Sequence, residues 1–136
     1  MLVNPSKHIR KAIIETLSPL PVWSNLVPKT ATTPTAYALI TSMGLQEYAR
    51  AKDCYEWEVS FIIDVFYRGV LGQDYSAAID DIVEDIIPKM KSLTSPVVQI
   101  KNVYLEFQND LSFNTSTNSI NRKVLNYTVW CNYQEV

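Results

Sequence analysis

Glycine, cysteine and histidine are scarce in this chain of 136 residues: three glycines, two cysteines and a single histidine. Each scarcity excludes a class of chemistry. A phosphate-cradling loop needs several glycines, because backbone N–H groups must approach an anion with little side-chain obstruction. Gly44, Gly69 and Gly72 stand in neither the P-loop nor the dinucleotide-binding spacing. A structural zinc site takes four nitrogen or sulfur ligands, and His8, Cys54 and Cys131 supply three at most, so neither metal nor cofactor is expected. A Ser–His–Asp or Cys–His arrangement would need His8 as its base. His8 lies in the first turns of an expected helix and reads as a surface histidine. The two cysteines fall at strand positions, where free cysteine behaves as a small buried hydrophobe. The polar N-terminal run Met1–Arg10 does not read as a signal peptide, so reduced thiols in the cytosol are expected and the sequons at Asn114 and Asn126 are chance matches. No apolar run approaches the roughly 20 residues of a membrane-spanning helix. Twelve Lys and Arg against fourteen Asp and Glu give a net charge of -2, which lacks the basic footprint of a sequence-specific nucleic-acid binder.

What the chain does contain is enough apolar residue for a core, 47% hydrophobic against 19% charged, and a length that suits one domain over residues 1–136. Pro5-Ser6 marks a helix start, with Ser6 placed to cap it. Ile9, Ile13 and Leu17, widened by Ala12 and Ile14, make its apolar stripe, and Pro19 and Pro21 end it. Val22 to Pro34 holds Trp23 and three threonines and reads as an irregular connection. Tyr37–Thr41 reads as a short strand, and Ser42–Asp53 as a hairpin connection or its extended arms. From Tyr55 to Arg68 the chain alternates strictly, with Tyr55, Trp57, Val59, Phe61, Ile63, Val65 and Tyr67 on one side. Such alternation specifies a strand with one committed buried face. Asp74 is the expected cap of a second helix, whose stripe is Ile79, Ile82, Val83, Ile86, Ile87 and Met90, with a kink or early end at Pro88. A strand from Val97 or Val98 to Gln108 carries Val103, Leu105 and Phe107 on one face. Asn109–Asn121, rich in Asn, Ser and Thr, reads as a mobile hairpin loop, and Lys123–Tyr133 as the last strand. The expectation is an α+β fold: a four-stranded, mostly antiparallel sheet with two helices, in the order α-β-β-α-β-β.

Two constellations could carry chemistry. Asp80, Asp81, Glu84 and Asp85 stand one helical turn apart in pairs and could share a divalent ion, the basis for a small metal-dependent hydrolase. A solvated helix face accounts for them better, since the side opposite an apolar stripe must be polar. Glu56 and Glu58 share a strand face and could pair in acid–base work, though strands commonly carry such charges on their wet side. The sharper anomaly is apolar. Ile62, Phe66, Tyr104 and Trp130 all fall on the sides of their strands that should face solvent. Either another element covers them, or this sheet face or a sheet edge meets another subunit. The polar segments around Gln46, Glu47, Arg50 and Lys52, and around Asn114 and Asn118, are candidate contact loops.

The order of these segments resembles a known family. Ser6–Leu17, Val27-Pro28, Pro34 leading into Tyr37-Ala38-Leu39-Ile40, the strand Trp57–Phe66, the acidic helix Tyr75–Met90 and Tyr127-Thr128-Val129-Trp130 are together similar to the small tail-terminator, or tail-completion, proteins of long-tailed bacteriophages and prophages. The resemblance implies a non-catalytic assembly protein made in the host cytoplasm and placed in the virion. It implies a homo-oligomer, a hexameric ring that caps the tail tube and joins it to the head. Its implied partners are further copies of itself, the tail-tube protein and a head-completion or neck protein. A head-closure or neck adaptor is the neighbouring alternative. A small-ligand binding module also stays open, because pockets are made in three dimensions.

Overall fold

A computed structural model describes residues 4–29, 34–51 and 54–134. In chain order these form α1 (Pro5–Thr16), β1 (Val22–Ser24), β2 (Ala36–Ala51), β3 (Cys54–Val70), α2 (Ser76–Lys91), β4 (Gln99–Asp110), β5 (Phe113–Asn114) and β6 (Asn118–Gln134). The strands make one mixed sheet in the order β1-β2-β3-β6-β4, with β5 on the flank of β6. This corrects the four-stranded expectation: the sheet has six strands. The two extra ones are short. Val22–Ser24 looks irregular in a proline-bounded segment, but it pairs in parallel with Ala38–Ile40. Phe113–Asn114 pairs with Ser119–Ile120. Three- and two-residue strands carry no legible alternation and exist because a long neighbour offers them a ladder.

Spatial order departs from chain order as well. β2 and β3 form an antiparallel hairpin, but β6 inserts beside β3 and leaves β4 outermost. β3 has to be central, since its alternation gives Val59, Phe61, Ile63 and Val65 to a buried face. Burial of that face recruits Leu125, Tyr127, Val129 and Cys131 from β6 and Ala38 and Ile40 from β2. Both helices lie over this one face. α1 contributes Ile9, Ala12, Ile13 and Leu17, and α2 contributes Ile79, Val83, Ile86 and Met90, a period near 3.6 in each.

The helix ends are built differently from the expectation. Asn4, not Ser6, caps α1: its side-chain oxygen accepts from the Ser6 N–H at 3.0 Å, and Pro5 takes the first helical position, where its missing N–H costs nothing. Tyr75 occupies the cap position of α2 without a side-chain cap, while Asp74 accepts from the Ser76 N–H at 3.0 Å. The Ser76 hydroxyl, which donates to the same carboxylate at 2.8 Å, and then that N–H hold the Asp74 carboxyl below its usual range. Pro88 does not stop α2, which continues to Lys91. Gly69 lets the helix approach the sheet closely. A Cβ there would lie 2.1 Å from the Tyr75 ring, whose hydroxyl accepts from the Val70 N–H at 2.9 Å.

The core holds two titratable groups. Burial pushes the Cys131 thiol up to about 11 and the Tyr127 hydroxyl up to about 12. The Tyr127 hydroxyl has no hydrogen-bond partner among the described residues. Both groups are neutral in the fold and ionise more easily once unfolded, so each contribution is whole below the group's ordinary range and is lost as pH rises from there through about 11 for the thiol and about 12 for the hydroxyl. Unfolding free energy is therefore expected to be flat from pH 7 to 8 and to fall from about pH 9 upward. Tyr127→Phe should flatten the part of that fall above about pH 10 and cost little at neutral pH, because it removes a buried hydroxyl with no partner among the described residues. Urea titrations of both chains across this range check it; an alkaline profile unchanged by Tyr127→Phe would contradict it.

Candidate functional site

Among the described residues, no helix lies on the second face of the sheet. Strand register places its residues in rungs: Gln46–Glu58–Trp130–Asn102, Gly44–Ser60–Thr128–Tyr104, and Tyr37–Phe66–Arg122. Side chains that face each other across a rung point to the same side. Ile62, Phe66, Tyr104 and Trp130 therefore share this helix-free face, as their strand positions predicted. They are not equally exposed. Ile62, Phe66 and Trp130 are half-buried, whereas Tyr104 is 46% exposed.

Aromatic packing explains the difference on one side of the face. Trp23 of β1 meets Tyr37 edge-on at 6.2 Å, and Tyr37 stacks on Phe66 at 5.0 Å. The Arg122 guanidinium lies over the Phe66 ring, 5.5 Å from its centre. That guanidinium then forks onto Asp64, with Nε to Oδ1 at 3.0 Å and Nη2 to Oδ2 at 3.1 Å. Thr41 donates to the same carboxylate at 3.4 Å. The Asp64 side chain is only 6% exposed. A carboxylate so buried is tolerable because a planar, permanently charged fork meets both of its oxygens. Burial also pushes the Tyr37 hydroxyl above its usual range, against a smaller opposing effect of Arg68.

On the other side of the face, the largest exposed group was missed in the sequence. Phe107, 59% exposed, alternates with Val103 and Leu105 and so belongs with them on the covered side. A bulge between Leu105 and Phe107 moves it across, opposite Asn126. One extra residue in a strand reverses every side chain beyond it. Phe107, Ile62, Ser60, Asn126 and Thr128 border a shallow depression of about 330 Å³. Trp23, Tyr37, Asp64 and Arg122 were not singled out either. Trp23 lay in a segment without strand signal, and the Asp64–Arg122 pairing is 58 residues apart in sequence.

The expected contact loops are more ordered than anticipated. Gln46 and Glu47 lie exposed on β2, which continues to Ala51 past a bulge between Glu47 and Ala49. Arg50 pairs with Tyr55 through the backbone, and Lys52 lies outside the described residues. Asn109–Asn121 is not a free loop, for β4 reaches Asp110 and β6 starts at Asn118. Asn118 donates to the Gly69 carbonyl at 3.1 Å, and Asn114 accepts from the Ser119 hydroxyl at 3.0 Å. Asn121 ties this end to α2 by accepting from the Tyr75 N–H at 3.1 Å.

The acidic stripe of α2 is partly engaged. Asp85 pairs with Lys89 at 3.0 Å, and Asp80 pairs with Lys123, whose ammonium that hydrogen bond holds above its usual range. Glu56 pairs with Lys101 at 2.5 Å. Among the described residues, no group of three or more His, Cys, Asp or Glu side chains converges on a metal position. No helix among them is long and apolar enough to cross a membrane. No protein-family model matches the chain, and no curated protein matches it in sequence.

The ion pair on the open face gives a direct test. Arg122→Met keeps length and removes the fork, leaving the Asp64 carboxylate sheltered with Thr41 as its remaining partner among the described residues. Stability is expected to fall by about 1.5–3 kcal/mol, against roughly 0.5 kcal/mol or less for Lys89→Met, which breaks an exposed helical pair. Urea unfolding of the two variants checks the order; equal losses would contradict it.

Proposed function

We propose that this protein is a structural assembly subunit that works as an oligomer, in the manner of the phage tail-terminator proteins its segment order resembles. In that role a ring of subunits, hexameric by the resemblance, ends the tail tube and joins it to the head-completion or neck protein. The observation that carries the reading is the helix-free sheet face, where Tyr104 and Phe107 stand 46% and 59% exposed beside half-buried Ile62, Phe66 and Trp130. Exposed apolar patches of this kind mark association surfaces in soluble proteins.

Magnitudes set the form of the contact. Burying one large apolar side chain contributes roughly 1.5–3 kcal/mol, while association costs about 4–15 kcal/mol in lost translation and rotation. Tyr104 and Phe107 alone do not hold two copies together. A stable contact needs the wider face and a further, directional contribution from the backbone.

Sedimentation velocity at micromolar concentration, followed by negative-stain imaging, tests the reading. The expected result is a species several times the 15.5 kDa of one chain, seen as closed rings that bind the open ends of purified tail tubes. Phe107→Ser should shift the population toward smaller species. A monomer throughout the micromolar range would overturn the proposal.

A further inference from the structure

Among the described residues the sheet has two unpaired edges, and they match. β1 covers β2 only at Ala38–Ile40, so among the described residues no strand lies against the outer edge of β2 beyond Thr41. β4 is the outermost strand on the other side. Each free edge is interrupted twice by bulges: between Thr41 and Gly44 and between Glu47 and Ala49 on β2, and between Ile100 and Asn102 and between Leu105 and Phe107 on β4. The regular runs left between the bulges are Gly44–Glu47 and Asn102–Leu105. They stand at one level of the sheet, because Gly44, Leu45 and Gln46 share rungs with Tyr104, Val103 and Asn102 through β3 and β6.

We infer that the β2 run Gly44–Glu47 of one copy pairs, antiparallel, with the β4 run Asn102–Leu105 of the next, continuing the sheet from subunit to subunit. The occupant of each edge is a second copy of this chain. Chain sense favours it. Along shared rungs β2 ascends as β4 descends, so two copies placed side by side in the same orientation bring these edges together as an antiparallel pair. Side-chain chemistry agrees. Asn102, Val103, Tyr104 and Leu105 carry no charge, and Lys101 and Glu106 sit at the bulges that end the run. Bulges and charges normally protect an edge from pairing; here they leave one window of matching length on each side, uncharged on β4 and carrying the single charge of Glu47 at its end on β2, and so restrict the register. The contact is heterologous: one surface is β2, the other β4. Repetition gives a closed ring if the rotation between copies closes, or a filament if it does not. It also aligns the helix-free faces, with their Tyr104 and Phe107 side chains, into one band.

This inference rests on the oligomeric reading and names its contact, and cross-linking separates the two. Two variants are made in a Cys54→Ser background, Gln46→Cys and Asn102→Cys. Both positions are exposed, so the fold is retained, and Cys131 is too buried to react. A short bismaleimide should join the two variants when they are mixed and give no dimer with either alone. Dimer from a single variant would mean a two-fold contact and would overturn the inference. Absence of cross-linked dimer from a mixture that still sediments as an oligomer would also overturn it, leaving the oligomeric reading in place. A monomeric mixture would sink both.

Discussion

Two amphipathic helices cover one face of a sheet, and this sheet has apolar side chains on both. The helices are also short against the strands. The 16 residues of α2 span about 24 Å, whereas the 17 of β3 reach about 56 Å if fully extended. The core beneath the helices is complete, from Ile9 and Ile13 through Ile63 to Leu125 and Val129. What they leave uncovered is the opposite face, with its aromatic side chains, and, among the described residues, the two outer edges of the sheet. The functional reading follows from that imbalance more than from any single residue.

Within the uncovered face, order comes from a chain of contacts across four strands. Trp23, Tyr37 and Phe66 pack ring to ring, Arg122 caps the series, and Asp64 anchors Arg122. A salt bridge in this position does less for net stability than for placement, because desolvating both ions offsets much of their attraction. It fixes β3 against β6 and orients the rings beside it. At the opposite end, the clasp formed by Gly69, Tyr75, Asn118 and Asn121 holds the hairpin end and α2 together. Both devices join side chains to partners distant in sequence, 58 residues apart for Asp64 and Arg122 and 49 for Asn118 and Gly69.

That distance explains which parts were legible in the sequence. The apolar stripes of both helices and the alternation of β3 are local, periodic signals, and they read correctly except at Ile14, which the stripe includes but the fold leaves exposed. The outward position of Ile62, Phe66, Tyr104 and Trp130 followed from the same alternation. β1 and β5 were not legible, since two or three residues carry no period. Phe107 was misplaced because a bulge leaves no local signature in Leu105-Glu106-Phe107. The Asn- and Ser-rich segment looked like a loose loop because hydrogen bonds such as Asn118 to Gly69 exist only once the ends of β3 and β6 meet. The order β3-β6-β4, rather than hairpin beside hairpin, is a property of the whole sheet that no segment states.

The central claim is that this sheet is finished by another copy of itself. Amide hydrogen exchange, followed as protein concentration rises, tests it on the unaltered chain. The account predicts protection growing in step at Gly44–Glu47 and Asn102–Leu105, while amides of β6 beneath the helices, at Leu125–Val129, stay constant. Exchange at both runs that is fast and indifferent to concentration, in a sample shown to be associated, would contradict it.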